Sequence, residues 1–386
     1  MYSKIVKVRQ KEYYSELFNI QNTCIKNIWM EVNKLCSHSK KSKNVTTIDK
    51  LLHNNRIITD KQEICNSMNN YFCDIGKTIS ESVTTTHANY KDYMPPPLTN
   101  SIFMETTTTF EIASIIQKLN VKKGPGPDGI HTRLLVDIAE EISTPLEHIF
   151  NMSILTGTIP TDLKIAKVIP VYKKGDKTES SNYRPISMLN ILNKILEKII
   201  YSRVHSFLDK YKILYKNQFG FRSNHSTSLA LINVLDKVYE QIDKGNYALG
   251  VYLDIQKACD CINHDILLEK LKIYGIRGKA WEWFSNYLSN RKQFVSVNNH
   301  VSATRNISYG VPQGSVLGPL LFLIYINDVQ RANDNAFLNL FADDTSLFVF
   351  DKKLDTLFQT CNTVIDSINK WFIANKLKLS IDKCVY

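Results

Sequence analysis

The stretch that most constrains this chain is Asn339-Leu-Phe-Ala-Asp-Asp-Thr-Ser-Leu-Phe-Val-Phe350. Two adjacent carboxylates, Asp343 and Asp344, stand between the apolar segments Phe337–Phe341 and Leu347–Phe350. The flanks are β-formers and Asp tolerates turn conformations, so the segment reads as strand, tight turn and returning strand. Two neighbouring anions repel each other unless a cation sits on them. Carboxylate oxygens with open positions around them are what Mg²⁺ takes while it keeps contact with a phosphate. Taken alone, an Asp-Asp pair is more often a solvated hairpin turn, so the choice rests on the rest of the chain.

A third carboxylate closes the apolar run Tyr247-Ala-Leu-Gly-Val-Tyr-Leu-Asp254. A charge at the end of a buried strand is expensive unless it has a purpose or a partner; an Arg or a helix end nearby would serve equally. Upstream, Ile165–Tyr172 alternates as a strand and Lys173-Lys-Gly-Asp-Lys177 forms a basic tip. The return Asn182-Tyr-Arg-Pro-Ile-Ser187 brings Arg184 across from that tip. Lysines on a hairpin tip with an arginine on its stem suit a triphosphate, though a solvated basic hairpin has the same composition. In Tyr309-Gly-Val-Pro-Gln-Gly-Ser-Val-Leu-Gly-Pro-Leu-Leu-Phe322, a Gly/Pro-rich loop turns into an apolar helix. Gly310 and Gly314 allow close backbone approach there, and Gln313 offers an amide that both donates and accepts. The loop Lys122-Lys-Gly-Pro-Gly-Pro-Asp-Gly-Ile130 lacks the Walker spacing and reads as a structural turn.

Apolar residues at helical spacing predict helices over 11–36, about 60–80, and from a Thr108/Glu111 capping box to Leu119. Further helices are expected from a Ser187 cap to Leu208, from Ser226/Thr227 to Gly245, over His264–Tyr274 and Ala280–Leu288, and over Leu354–Asn375. Strands are expected at Gln293–Val297 and about Thr304–Ser308, and Leu377–Tyr386 has the pattern of a strand. Residues 1–81 form a basic helical segment and 82–109 a Thr/Pro-rich linker. Residues 110–245 and 246–386 then follow as the two parts of the main body.

The formal charge is +11, and residues 1–60 carry eleven Lys/Arg against five Asp/Glu. With 10% aromatic residues, that surplus suits a polyanionic partner. The eight cysteines include no C-x-x-C pair and no histidine spacing suited to zinc, which fits free thiols in a reducing compartment. The longest apolar run, Val316–Ile326, contains Gly318 and Pro319 and is too short to span a bilayer. No signal peptide is evident, so an intracellular, membrane-free protein is expected, nuclear or cytoplasmic alike.

Taken together, six blocks in order resemble the reverse transcriptase of LINE- and jockey-like non-LTR retrotransposons. They are Lys123-Gly-Pro-Gly-Pro-Asp-Gly129, Tyr183-Arg-Pro-Ile-Ser187, Asn217-Gln-Phe-Gly-Phe-Arg222, Leu253-Asp-Ile-Gln-Lys-Ala258, Gly310-Val-Pro-Gln-Gly314 and Phe341-Ala-Asp-Asp344. Trp371 to Lys383 is similar to the block that follows the catalytic hairpin. The resemblance implies an α+β right-hand polymerase with fingers and palm, residues 110–245 giving the fingers and start of the palm and 246–386 the palm. It implies an RNA template, a DNA primer and dNTPs as partners. Two Mg²⁺ ions, replaceable by Mn²⁺, would be held by Asp254, Asp343 and the Ile255 carbonyl, with Asp344 as the third acid. It implies that Lys173, Lys174 and Arg184 grip the triphosphate. Gln313 and Gly314 would pack on nucleotide and template, and Lys383 would protonate the leaving pyrophosphate.

Two departures stand out. Five residues after Asp254 the family carries a bulky aromatic that excludes the ribose 2′-hydroxyl; here Cys259 stands there, so weaker sugar discrimination is expected. The resemblance also leads to the expectation of a helical thumb after, and an endonuclease before, the residues present. Their lack would leave a second reading, an inactive nucleic-acid-binding remnant.

Overall fold

The computed structural model describes residues 7–9, 11–13, 15, 47–53, 56–83 and 88–385, in two compact units, Met1–Thr47 and Ile48–Tyr386. In the first unit residues 7–9, 11–13 and 15 are helical, and Arg9 pairs with Glu12. The rest of the helix expected over 11–36, the basic stretch Ser37–Lys43, Cys24 and Cys36 lie outside the described residues.

The second unit opens with the hairpin β1 (Leu51–His53) and β2 (Arg56–Ile58). Helix α1 (Lys61–Ser82) follows, capped by Asp60, which accepts from the Glu63 N–H. Next come α2 (Thr109–Gln117), capped by Thr108 as expected, then α3 (Thr132–Asp137) and α4 (Ala139–Thr156). The hairpin β3 (Ile165–Tyr172) and β4 (Tyr183–Leu189) leads to α5 (Ile191–Lys210) and α6 (Thr227–Asp243). After β5 (Tyr247–Leu253) come α7 (His264–Ile273), α8 (Lys279–Leu288), β6 (Arg291–Val297), β7 (His300–Val301) and β8 (Arg305–Ile307). The order closes with α9 (Leu317–Ile326), β9 (Phe337–Phe341), β10 (Asp344–Asp351) and α10 (Leu354–Ala374).

Two sheets carry the unit, which is a mixed helix-and-sheet fold of the α+β kind. One is an antiparallel sheet in the order β5-β10-β9. The other runs β4-β3-β6-β7 with β8 also on β6; there β3 pairs antiparallel with β4 but parallel with β6. Along β4 burial alternates, with Tyr183, Pro185, Ser187 and Leu189 inward and Arg184, Ile186 and Met188 on the open face.

Helix α9 is buried on every side, its residues Leu320 to Ile326 at most 3% exposed, which is what a helix apolar all round requires. It packs against α5 and α7, and one buried ion pair ties the end of α9 to α7 and α10. Lys270 of α7 donates to Asp328 (2.5 Å) and to the Tyr325 carbonyl (2.6 Å), while the Trp371 indole of α10 donates to the second Asp328 oxygen (3.0 Å). No helix among the described residues is long and apolar enough to cross a membrane.

Three expectations give way. Ser187 does not cap the helix: its N–H bonds the Gln313 carbonyl and β4 runs on to Leu189, so Asn190 becomes the cap, accepting from Leu192 N–H. The strand expected over Leu377–Tyr386 is, in its described residues 377–385, two isolated bridges around a 3₁₀ turn at Ile381–Lys383, Leu379 facing Ile255 and Val385 facing Tyr252. The described residues of 82–109 lie inside the second unit, where 98–102 are tied to the end of α7 and the turn after it. Leu98 N–H donates to the Ile273 carbonyl, Ile102 N–H to Gly275, and the Arg277 guanidinium to the Leu98 carbonyl.

Candidate active site

The pairing of Asp344 with Phe341 limits the turn to Ala342 and Asp343, so Asp344 belongs to the strand rather than the turn. Ala342 has φ 56°, the left-handed region that lets a two-residue connection match the twist of its strands. Strand β5 lies antiparallel against β10, with Leu253 opposite Thr345. One step beyond that pair stand Asp254 and Asp344, which the register brings to the same end of the sheet beside Asp343.

Asp344 feels the other two carboxylates. Partial burial pushes the Asp344 carboxyl up, Asp343 and then Asp254 push it further, and Lys173 and Lys383 act against them. Lys383 arrives because the chain's last stretch laces along β5. Gln256 N–H donates to the Lys378 carbonyl (2.9 Å), Ser380 N–H to that of Asp254 (2.8 Å), and Tyr252 and Val385 exchange two bonds. The Lys383 ammonium then pairs with Asp254 Oδ2. Ile255, 3% exposed, follows Asp254 directly, and neither bond of its bridge to Leu379 uses its carbonyl.

The basic side comes from the β3–β4 hairpin. Lys173 N–H closes it onto the Asn182 carbonyl (2.9 Å), and Arg184 is exposed opposite Val171. Lys174 is exposed and makes no ion pair among the described residues. A residue that sequence reasoning missed joins the two halves. Lys257, three positions after Asp254, has φ 49° and donates to the carbonyls of Ser181 (2.9 Å) and Tyr183 (3.4 Å). Its ammonium also lies over the Tyr71 ring, 5.7 Å from the centroid. Burial lowers its pKa, Asp260 raises it, and Lys173 and Arg184 lower it again, so three cations share this corner. The signal available was its place inside Leu253-Asp-Ile-Gln-Lys-Ala258.

The loop bearing Gln313 seats on the free edge of β4. Its carbonyl accepts from Ser187 N–H (2.8 Å), and a Cβ on Gly314, at φ 129°, would meet the Ser187 carbonyl at 2.5 Å. The Gln313 amide donates to Asp260 Oδ1 (2.8 Å), which fixes which end of the amide faces outward. Asp260 is a second residue not singled out from sequence. Burial pushes its carboxyl up to about 6, and its Oδ2 has no hydrogen-bond partner in the structure. Asp260 helps line a cavity of about 30 Å³ together with Arg291, whose Nε and Nη2 are likewise unpartnered. Cys259 is half-buried, its thiol pushed up to about 12 by burial and then by Asp260 and Asp343. It therefore stands beside the carboxylates.

Among the described residues no three His, Cys, Asp or Glu side chains form a ready-made metal cluster. The donors nonetheless fit a hard divalent cation. They are carboxylate oxygens, the Asp344 carboxyl stays raised despite Lys173 and Lys383, and the cation paired with Asp254 among the described residues is the Lys383 ammonium. The arrangement sets three carboxylates within the field of a basic corner.

Residues 171–386 match the family model described as "Reverse transcriptase (RNA-dependent DNA polymerase)". The chain is similar to the RNA-directed DNA polymerase from mobile element jockey of Drosophila melanogaster, 30% identical over 76% of this chain and 33% of that protein. To the probable RNA-directed DNA polymerase from transposon BS of the same species it is 32% identical, over 66% of this chain and 29% of the relative. It is 27% identical to the putative 115 kDa protein in type-1 retrotransposable element R1DM, over 89% and 31%. The chain thus spans about a third of the length of these relatives.

Proposed function

Because the chain belongs to the reverse transcriptase (RNA-dependent DNA polymerase) family, we propose that it copies RNA into DNA, adding deoxynucleotides to the 3′-hydroxyl of a DNA primer paired with an RNA template. The observation that carries this reading is the meeting of Asp254, Asp343 and Asp344 at one end of the β5–β10 pair, within the field of Lys173 and Lys383. In this reading β5, β9 and β10 are the palm, and the β3–β4 hairpin with the helices around it forms the fingers.

Asp254, Asp343 and the Ile255 carbonyl would hold two Mg²⁺ ions, or Mn²⁺ in their place, with Asp344 beside them. Bound there, the ions supply an activated primer hydroxyl and neutralise charge on the phosphates. The chain's own residues mostly position. Arg184, with Lys173 and Lys174, grips the triphosphate by charge-assisted hydrogen bonds. Lys257 keeps the Arg184 stem against the end of β5 through the Ser181 and Tyr183 carbonyls. Gln313, oriented by Asp260, and Gly314, which permits close backbone approach, face the nucleotide and template. Lys383, released from Asp254, gives a proton to the leaving pyrophosphate. Cys259, where a bulky side chain would fill the space beside the ribose, leaves room for a 2′-hydroxyl. Template and primer affinity comes mainly from phosphate contacts and falls steeply with salt.

The test is single-nucleotide extension of a labelled DNA primer on an RNA template, wild type beside Asp343→Ala. Incorporation by wild type and none by the variant, with low-salt binding retained by both, is the expected result. Binding without incorporation by wild type, in Mg²⁺ and in Mn²⁺, defeats the reading.

A further inference from the structure

The segment Asn217-Gln-Phe-Gly-Phe-Arg222 takes no part in the chemistry above, yet it is bonded directly to the Asp343 turn. Leu340 N–H donates to the Asn217 carbonyl (2.9 Å) and Phe219 N–H to the Leu340 carbonyl (2.8 Å), so the segment makes one parallel bridge, Gln218 to Leu340, on β9. At its centre the Gln218 side chain is buried. Its Oε1 accepts from the N–H of Ala342 (2.9 Å) and of Gly220 (2.8 Å), and its Nε2 donates more loosely to the Ala342 carbonyl (3.4 Å). One side chain therefore holds both polar groups of the residue whose φ is 56°.

Gly220 makes that approach possible. A Cβ there would lie 2.1 Å from the Ala342 nitrogen and 2.8 Å from its Cβ, and both the nitrogen and Cα of Ala342 are backbone that cannot step aside cheaply. Arg222 closes the loop from behind, donating to the carbonyls of Tyr215 (3.0 Å) and Gln218 (3.2 Å). An alanine in the left-handed region is disfavoured on its own, so without the clamp the turn relaxes and Asp343, the next residue, moves with it.

We propose that Gln218, admitted by Gly220, is the positioning residue of the cation site: by clamping Ala342 it fixes where Asp343 presents its carboxylate. The proposal rests on the reading of Asp343 as a metal-holding residue. Groups that orient a metal-holding side chain from behind typically change affinity by about 10–100-fold when removed.

The test measures Mn²⁺ affinity of the whole chain by electron paramagnetic resonance of free Mn²⁺, with thermal unfolding recorded for each variant. Gln218→Ala and Gly220→Ala are each expected to weaken Mn²⁺ binding about tenfold. The control is Asn233→Ala, which removes a hydrogen bond from α6 to Asn339 of β9 (3.0 Å) without touching the turn. It is expected to leave Mn²⁺ affinity within about twofold while lowering the unfolding midpoint, a change that a merely structural role for Gln218 would mimic. Wild-type Mn²⁺ affinity in folded Gln218→Ala and Gly220→Ala, with binding lost in Asp343→Ala, overturns the clamp and leaves the metal reading intact. The clamp also falls if Asn233→Ala loosens Mn²⁺ as much as Gln218→Ala. Undiminished binding in Asp343→Ala overturns the metal reading and the clamp with it.

Discussion

Replacing Asp328 by alanine should nearly unfold the Ile48–Tyr386 unit, although Asp328 is remote from any chemistry. The side chains of Lys270 and Asp328 are both fully buried, and the carboxylate serves two partners, the Lys270 ammonium and the Trp371 indole N–H. The Lys270 ammonium also lies over the Tyr325 and Trp371 rings, at 5.0 and 5.1 Å from their centroids. Taking one partner out of such a pair leaves a buried charge and costs about 3–5 kcal/mol. The stranded indole N–H adds about 1–3 kcal/mol. The sum, roughly 4–8 kcal/mol, is most of the roughly 5–15 kcal/mol that holds a folded protein together. Lys270→Met should cost about 3–5 kcal/mol by stranding the carboxylate instead. The double variant Lys270→Met/Asp328→Leu strands no charge and should recover to within about 2 kcal/mol of wild type, losing mainly the indole hydrogen bond. Urea unfolding followed by tryptophan fluorescence closes this double-mutant cycle, with Trp371 itself as a reporter. A double variant no more stable than the weaker single one would refute the argument, because the loss would then lie in packing and not in an uncompensated charge.

Two further predictions concern the site. The Asp260 carboxyl is raised to about 6 by burial from an ordinary value of 3.8, so the folded protein holds that proton more tightly than the unfolded chain. The penalty is fully present above pH 6 and disappears as pH falls toward 3.8. Asp260→Asn should therefore be more stable than wild type at pH 8 and match it near pH 4; thermal midpoints that differ equally at both pH values would remove burial as the cause. Cys259→Phe should sharpen the preference for dNTPs over rNTPs by about tenfold or more in primer extension, through loss of space beside the ribose. A wild type that already excludes ribonucleotides strongly would show that another group guards the sugar.

Much of this was legible in the chain. The apolar β-formers of Phe337–Phe341, Leu347–Phe350 and Tyr247–Leu253 formed strands as expected, and the Asp-Asp pair marked the turn between the first two, with Asp344 itself drawn into the returning strand. The apolar run after Gly310-Val-Pro-Gln-Gly314 gave a fully buried helix. Local rules failed where a long-range partner competed with them. Ser187 had the chemistry of a cap, but its N–H was taken by the Gln313 carbonyl and the strand ran on. The last residues had the pattern of a strand, but they bridge the edge of β5 in two places and turn between them.

Sequence by itself determined the residue types of the site: three carboxylates at strand ends, cations on a hairpin, an amide in a glycine-flanked loop. These follow from local periodicity and turn chemistry, which a short window of chain contains. Only the tertiary structure decided that Asp254 and Asp343 meet, across 88 intervening residues, and that Lys257, Asp260 and Gln218 stand behind them. Those three act by holding other residues in place, and their partners lie 53 to 124 positions away along the chain. Contacts of that range are set by which surfaces pack together, a property of the whole fold that no single stretch of sequence carries.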